Sequence, residues 1–173
     1  MIARAKLQLV SLLGLLSIAC VFKGCGLYSF SGAALSSEVE TVTVRRFPNN
    51  ADLVNPELSQ LFTQKLRQKL LQDTNLELVE QGGDLVFSGT IERYQVAAEV
   101  VQRGQQASKS ELSIGISTKY QNKMDQKSGF DQMFSSNRTF DQSQTLNQVE
   151  GQLVEEITDN IIQDIFNQSI NDW

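Results

Sequence analysis

Between Glu111 and Tyr120 the chain alternates without a break. Leu112, Ile114, Ile116, Thr118 and Tyr120 take every second place, and Glu111, Ser113, Gly115, Ser117 and Lys119 fill the gaps. Successive strand side chains point to opposite faces, so this stretch predicts a β-strand with one apolar face and one face in water. A strand wetted on one side belongs to an antiparallel or mixed sheet rather than to a buried parallel one. Its apolar face needs a cover.

Two segments supply one. Asn55-Pro56-Glu57 has the marks of a helix start: an N-cap residue, a proline preorganised for the first turn, and an acid where the dipole favours it. Leu58, Leu61, Phe62, Leu66 and Leu70 then fall on one stripe, and the helix should end near Asp73-Thr74-Asn75. Lys65, Arg67, Gln68 and Lys69 occupy the other face, which is expected to be solvated, with a contact to anionic lipid as the alternative. The second helix opens at Thr145, with Gln148 completing a capping box. Val149, Leu153, Val154, Ile157, Ile161, Ile162, Ile165 and Phe166 carry its apolar stripe toward Trp173. Glu155 and Glu156 are adjacent on this helix. Neighbours on a helix diverge, so a charged face is expected there rather than a catalytic pair.

The remaining elements are strands and turns. Val39 to Phe47 alternates β-branched residues and stops at Pro48-Asn49-Asn50. Leu76 to Val79 is a short strand closed by Gln81-Gly82-Gly83-Asp84. Leu85, Phe87 and Ile91 share a face of the next strand, which runs to about Val101. Gly89 lies between them and predicts a close approach by another element, expected to be a helix. Gln102 to Ser108 reads as a hairpin tip and Lys123 to Gly129 as a turn. Phe130 to Phe134, extending toward Phe140, reads as a weaker strand at an edge. The order predicts an α+β fold, β-α-β-β-β-α, with an antiparallel or mixed sheet of about four strands and both helices packed on one face.

The start of the chain is of another kind. Arg4 and Lys6 precede an apolar run from Leu7 to Phe22, a pattern expected of a secretory signal; a membrane-spanning anchor would need a longer run. Two cysteines follow, Cys20 and Cys25. Either could be the residue at which a lipoprotein is cut and acylated. Ala19 and Ile18 favour Cys20 locally, whereas a cut before Cys25 leaves no unpaired thiol in an oxidising compartment. The expected organisation is a signal peptide over 1–24 and one domain over 25–173, held by acyl chains on Cys25. Tyr28 and Phe30 directly beyond are expected to dock on the body or to meet lipid headgroups.

Composition closes several classes. The leader holds three of the 15 basic residues and none of the 20 acidic ones, which leaves 12 against 20 and a net charge of −8 for the mature part. That argues against a nucleic-acid partner. The chain has no histidine. With the usual general base and the commonest metal ligand missing, no catalytic residue, metal site or cofactor is assigned. Arg103 at the hairpin tip and Lys123 and Lys127 in the following turn are the weak candidates for meeting lipid phosphates, beside the reading of both as solvated loops.

Several blocks carry a resemblance. Cys25-Gly26-Leu27-Tyr28-Ser29-Phe30-Ser31-Gly32, then Phe47-Pro48-Asn49-Asn50-Ala51, Leu53-Val54-Asn55-Pro56 with Leu58-Ser59-Gln60, Thr74-Asn75-Leu76 and the closing helix ending in Trp173 resemble LptE-like lipoproteins over the whole mature chain. The resemblance supports Cys25 as the lipidated residue, although Lys23 departs from the usual pattern beside the cut. It implies two helices on a four-stranded sheet, an outer-membrane location facing the periplasm, and a role in lipopolysaccharide transport. The partner it implies is an LptD-like β-barrel, which the protein would plug and help assemble, with lipopolysaccharide as a possible ligand. It implies no enzyme activity. The alternative is a periplasm-facing lipoprotein that binds a small ligand or another envelope protein.

Overall fold

The computed structural model describes residues 38–53, 55–98 and 109–171. Seven main elements follow one another: β1 (Thr41–Val44), α1 (Leu58–Asp73), β2 (Glu77–Leu78), β3 (Leu85–Ala98), β4 (Lys109–Asn122), β5 (Phe130–Asp141) and α2 (Leu146–Phe166). The fold is α+β, as expected, but the sheet has five strands, in the order β2-β1-β3-β4-β5. β1 runs parallel to both of its neighbours, and β3, β4 and β5 form an antiparallel meander.

The alternation of β4 is obeyed along its length. Leu112, Ile114, Ile116, Thr118 and Tyr120 are buried on one face, and Lys119 on the other is exposed. That inner face meets the stripes of the helices: Leu58, Phe62, Leu66 and Leu70 from α1, and Leu153, Ile157, Ile161 and Ile165 from α2. α1 packs over β1 and β2, and α2 over β4 and β5. Each such side chain taken out of water stabilises the fold by about 1.5–3 kcal/mol before entropy is counted.

Both helix starts follow their sequence signals. The Asn55 side-chain oxygen accepts from the backbone N–H groups of Glu57 at 3.0 Å and Leu58 at 3.1 Å. At α2, Gln148 Oε1 accepts from the Thr145 backbone N–H at 2.8 Å and from its hydroxyl at 3.0 Å. The helix ends in a wider turn, Asn167–Asn171.

The basic face of α1 is not simply solvated. Lys65 pairs with Asp159 of α2 at 2.8 Å, and Lys69 pairs with Asp73 at 2.6 Å while lying over the Phe166 ring. Arg67 donates from Nη2 to the Val44 carbonyl at 2.8 Å. The long stems reach over the helix flanks to α2 and to the strand, which helical spacing alone does not reveal.

Gly89 does sit at a close approach, but its neighbour is not a helix. A Cβ there would lie 2.0 Å from the Ser117 carbonyl oxygen and 2.6 Å from the Phe47 ring. Phe47 leaves the end of β1, crosses this spot and packs edge-on against Phe62 of α1, with ring centroids 5.0 Å apart. Its chain continues beside β3: Ile91 donates to the Pro48 carbonyl, and Asn50 donates to the Ile91 carbonyl, each at 2.9 Å. Proline and asparagine therefore do not simply release the chain after β1.

A bulge then reverses the parity of β3. Ile91 pairs with Ile116 and Arg93 pairs with Gly115, so Glu92 is the extra residue. Ile91 and Tyr94 are both buried as a result, three positions apart in one strand. Val96, expected to continue this strand, does so with its side chain exposed. β5 is a full-length edge strand rather than the weak one expected.

Candidate functional surface

Among the described residues, no element covers the outer face of the meander. Ser88, Thr90, Arg93 and Gln95 of β3, Glu111, Ser113, Ser117 and Lys119 of β4, and Asp131, Met133, Ser135 and Asn137 of β5 all fall on it. The residues are short and hydroxyl-rich because the even-numbered places of β4 have claimed the apolar side chains. Gly115 leaves room at the centre: a Cβ there would come within 3.1 Å of Arg93 Cβ and 3.4 Å of Met133 Sδ. Met133 is an exposed apolar residue in this polar field.

At the lower end of that face lies a groove of about 670 Å³, where β3 begins, β4 ends and the turn into β5 curls round. Val86, Lys119, Gln121, Lys123, Phe130 and Asp131 are among its walls. Lys119 stands opposite Asp131 in the β4–β5 register. The turn itself is stiff. Asn122 Oδ1 accepts from the Met124 and Asp125 N–H groups at 2.9 and 3.2 Å, and Asp125 Oδ1 accepts from the Lys127 N–H at 3.0 Å. Beneath it the Tyr120 hydroxyl and Asn122 Nδ2 are buried without hydrogen-bond partners among the described residues. Burial pushes the Tyr120 hydroxyl above its ordinary pKa.

Of the expected site residues, Lys123 and Lys127 share this turn, and only Lys123 lines the groove. Its Nζ donates to the Gly82 carbonyl at 2.7 Å, and its N–H donates to the Asp84 carbonyl at 2.9 Å. Lys123 therefore fastens two turns together rather than waving in solvent. Gly82, at φ 80°, supplies the left-handed turn that places this carbonyl. Lys127 is exposed and contributes only its backbone. Arg103, Cys20 and Cys25 lie outside the described residues.

Asp84, beside Lys123, was not marked by the sequence. Its carboxylate accepts from the Thr41 hydroxyl at 2.7 Å, the Thr41 N–H at 2.9 Å and the Glu40 N–H at 3.1 Å. The Thr41 hydroxyl first, then the two N–H groups, hold it below the usual carboxylate range. Its place after Gly82-Gly83 signals a turn, but not that the turn would clamp β1. Glu156 of α2 is likewise held by structural contacts. Glu156 accepts from Arg138 Nε at 3.2 Å and from Gln152 at 2.9 Å, while Glu155 lies on a different bearing.

A family model described as LptE, lipopolysaccharide-assembly, matches residues 39–169. The chain belongs to the LptE family. This is a non-enzymatic family of lipopolysaccharide assembly. No curated protein matches the sequence. Among solved structures, the fold is similar to uncharacterized lipoprotein B from Nitrosomonas europaea, at 12% identity and a TM-score of 0.55, over 85% of this chain and 90% of that one. It is also similar to a protein from Xanthomonas campestris, at 10% identity and a TM-score of 0.53, over 76% of this chain and 83% of that one. A hypothetical protein from Chlamydia trachomatis matches at 10% identity and a TM-score of 0.52, over 76% of this chain and 98% of that one. At these identities the likeness is one of fold.

Proposed function

We propose that this LptE-family protein is an outer-membrane lipoprotein of the lipopolysaccharide transport machinery, acylated at Cys25 after removal of residues 1–24. Its partner is an LptD-type β-barrel, which it plugs and helps to assemble. The observation that carries this reading is the polar outer face of β3, β4 and β5, which no described element covers. A barrel lumen is polar and wet, and a plug inside it needs a rigid body that offers hydrogen-bonding groups rather than an apolar patch. Ser88, Thr90, Ser113, Ser117, Ser135 and Asn137 offer such groups on a stiff sheet. Lys119, which lines the groove at the foot of the same face, is the cation there proposed to meet lipid phosphates, since Lys123 Nζ is held by the Gly82 carbonyl.

The test is isolation of the affinity-tagged protein from outer membranes. A large β-barrel should accompany it in a fixed ratio. Large substitutions on that face, such as Ser117→Arg, should break that association while leaving the thermal melt unchanged. Recovery of a stable monomer without a barrel would refute the proposal.

A further inference from the structure

The middle of the outer face is built differently from the rest of it. β4 is the central strand of the meander, and Gly115 lies midway along its length. Ser113 and Ser117 on either side follow the alternation with short polar side chains, while Gly115 offers none. Two neighbours lean toward the gap. A Cβ on Gly115 would stand 3.1 Å from Arg93 Cβ, 3.9 Å from Arg93 Cδ and 3.4 Å from Met133 Sδ. The arginine stem and the thioether therefore lie beside one point, at the centre of the three strands.

Neither side chain falls there by plain alternation of the sequence. Up to its bulge β3 sends odd-numbered residues inward, and Leu85, Phe87 and Ile91 are buried. The extra residue Glu92 then turns Tyr94 in and Arg93 out, opposite Gly115. Among the described residues, Met133 is the one large apolar side chain exposed on the outer face of these strands. Among the same residues Arg93 is exposed and has neither a hydrogen-bond nor an ion-pair partner for its guanidinium. Its charge is not spent within the fold.

We infer that Arg93, Gly115 and Met133 form a seat for an aromatic side chain of the protein partner that docks on this face. The inference rests on the barrel reading above and adds to it the point that carries the contact and the chemistry that meets it. Binding energy concentrates near the centre of an interface, and methionine and arginine are enriched there together with aromatic residues. A thioether favours the edge of an aromatic ring, and a guanidinium favours its face. An aliphatic side chain would cover the thioether and leave the cation unused. A carboxylate would pair with the cation and leave the thioether uncovered. An aromatic ring engages both. Gly115 keeps the seat low, since a methyl group there would press on Arg93 Cβ and fill the hollow that the ring needs.

The experiment places a diazirine-bearing amino acid of methionine's length at position 133 of the tagged full chain. A second chain carries it at position 124, where an exposed methionine sits in the turn away from the seat. Outer membranes are irradiated, the chain is isolated, and the residue captured on the β-barrel is read by mass spectrometry. Position 133 should capture an aromatic residue or its immediate neighbour, and position 124 should not capture the same place. Met133→Ser and Arg93→Gln, both at exposed positions, should each speed loss of the barrel from the immobilised chain by roughly tenfold, with the thermal melt unchanged. Three results overturn the seat and leave the barrel reading standing: a capture point with no aromatic residue beside it, no capture from position 133 while the barrel still co-purifies, or variants that hold the barrel as the parent does. A parent chain that brings no barrel with it overturns both.

Discussion

Asn55 Nδ2 donates to Glu150 Oε1 at 2.9 Å, joining two residues 95 positions apart. The same glutamate oxygen accepts the Tyr94 hydroxyl. The cap of α1, the first turns of α2 and the inner face of β3 beyond its bulge therefore meet on one atom. Asn55 does two jobs, because its other side-chain atom caps α1. Asn55→Ala is expected to lower stability by about 1–2 kcal/mol through the lost cap, with the lost Glu150 contact adding to it. Tyr94→Phe, which keeps the ring, should cost about 1 kcal/mol. Urea denaturation of the two single variants and the double variant checks this, and the effects should not add, because all three side chains share one network.

Gly89→Ala should destabilise more than its single methyl suggests. The new carbon would press on the Ser117 carbonyl, which is backbone, and on Phe47, which is wedged against Phe62. Neither neighbour can move aside freely. A loss of about 3 kcal/mol is expected, read as a drop in the urea midpoint.

Ile114 is wholly buried beneath the helices. Ile114→Ala should cost about 2–5 kcal/mol. Ile114→Asp, which buries a carboxylate without a partner, should leave the chain unfolded by circular dichroism. A folded, cooperative Ile114→Asp variant would mean that the register of β4 is wrong.

Stability should fall at both ends of the pH scale, for separate reasons. The Asp84 carboxyl is depressed by its hydrogen bonds with Thr41 and Glu40, so what it contributes is present above the ordinary value of 3.8 and is lost as pH falls through its folded value. Asp84→Asn should flatten that acid limb. The hydroxyls of Tyr94 and Tyr120 are raised, by burial first and for Tyr94 next by the Glu150 bond. Their contribution is complete below the ordinary value of 10.0 and is lost as pH climbs beyond it toward the folded values. Thermal melts between acid and alkaline pH, on the parent chain and on Tyr94→Phe, separate the two limbs.

Cys25→Ser should release the protein from membranes, since several acyl chains, not a spanning helix, are the proposed anchor. Fractionation and mass spectrometry of the amino terminus check it. If Cys25→Ser stays lipidated and Cys20→Ser does not, the attachment point is Cys20.

Elements governed by periodicity were legible before any coordinates. The stripes of α1 and α2 and the two-sided pattern of β4 follow from spacing alone, and Asn55, Thr145 and Gln148 announced their caps. What stayed hidden depends on position in space. Nothing local in Thr41–Val44 states that both its neighbours run parallel, or that β2 joins the same sheet as a fifth strand. The extra Glu92 looks ordinary in the sequence, yet it decides that Tyr94 turns inward. At the candidate surface Lys123 was picked for its charge, but its neighbours Asp84 and Gly82 come from a turn about forty residues earlier. Arg67 read as one cation on a wet helix face, yet it reaches the Val44 carbonyl.

Among the described residues, the first strand, β1, has no hairpin mate. Residues 41–44 must wait for Leu85, Val86 and Phe87 before one flank is zipped, and for Glu77 and Leu78 before the other is. The later meander pairs strands that follow one another in sequence and has no such delay, so it is expected to form early and present a vacant slot. A chain delivered amino terminus first would then carry its opening segment unpaired until nearly half its length had emerged. That interval is when a folding helper would have the most to protect.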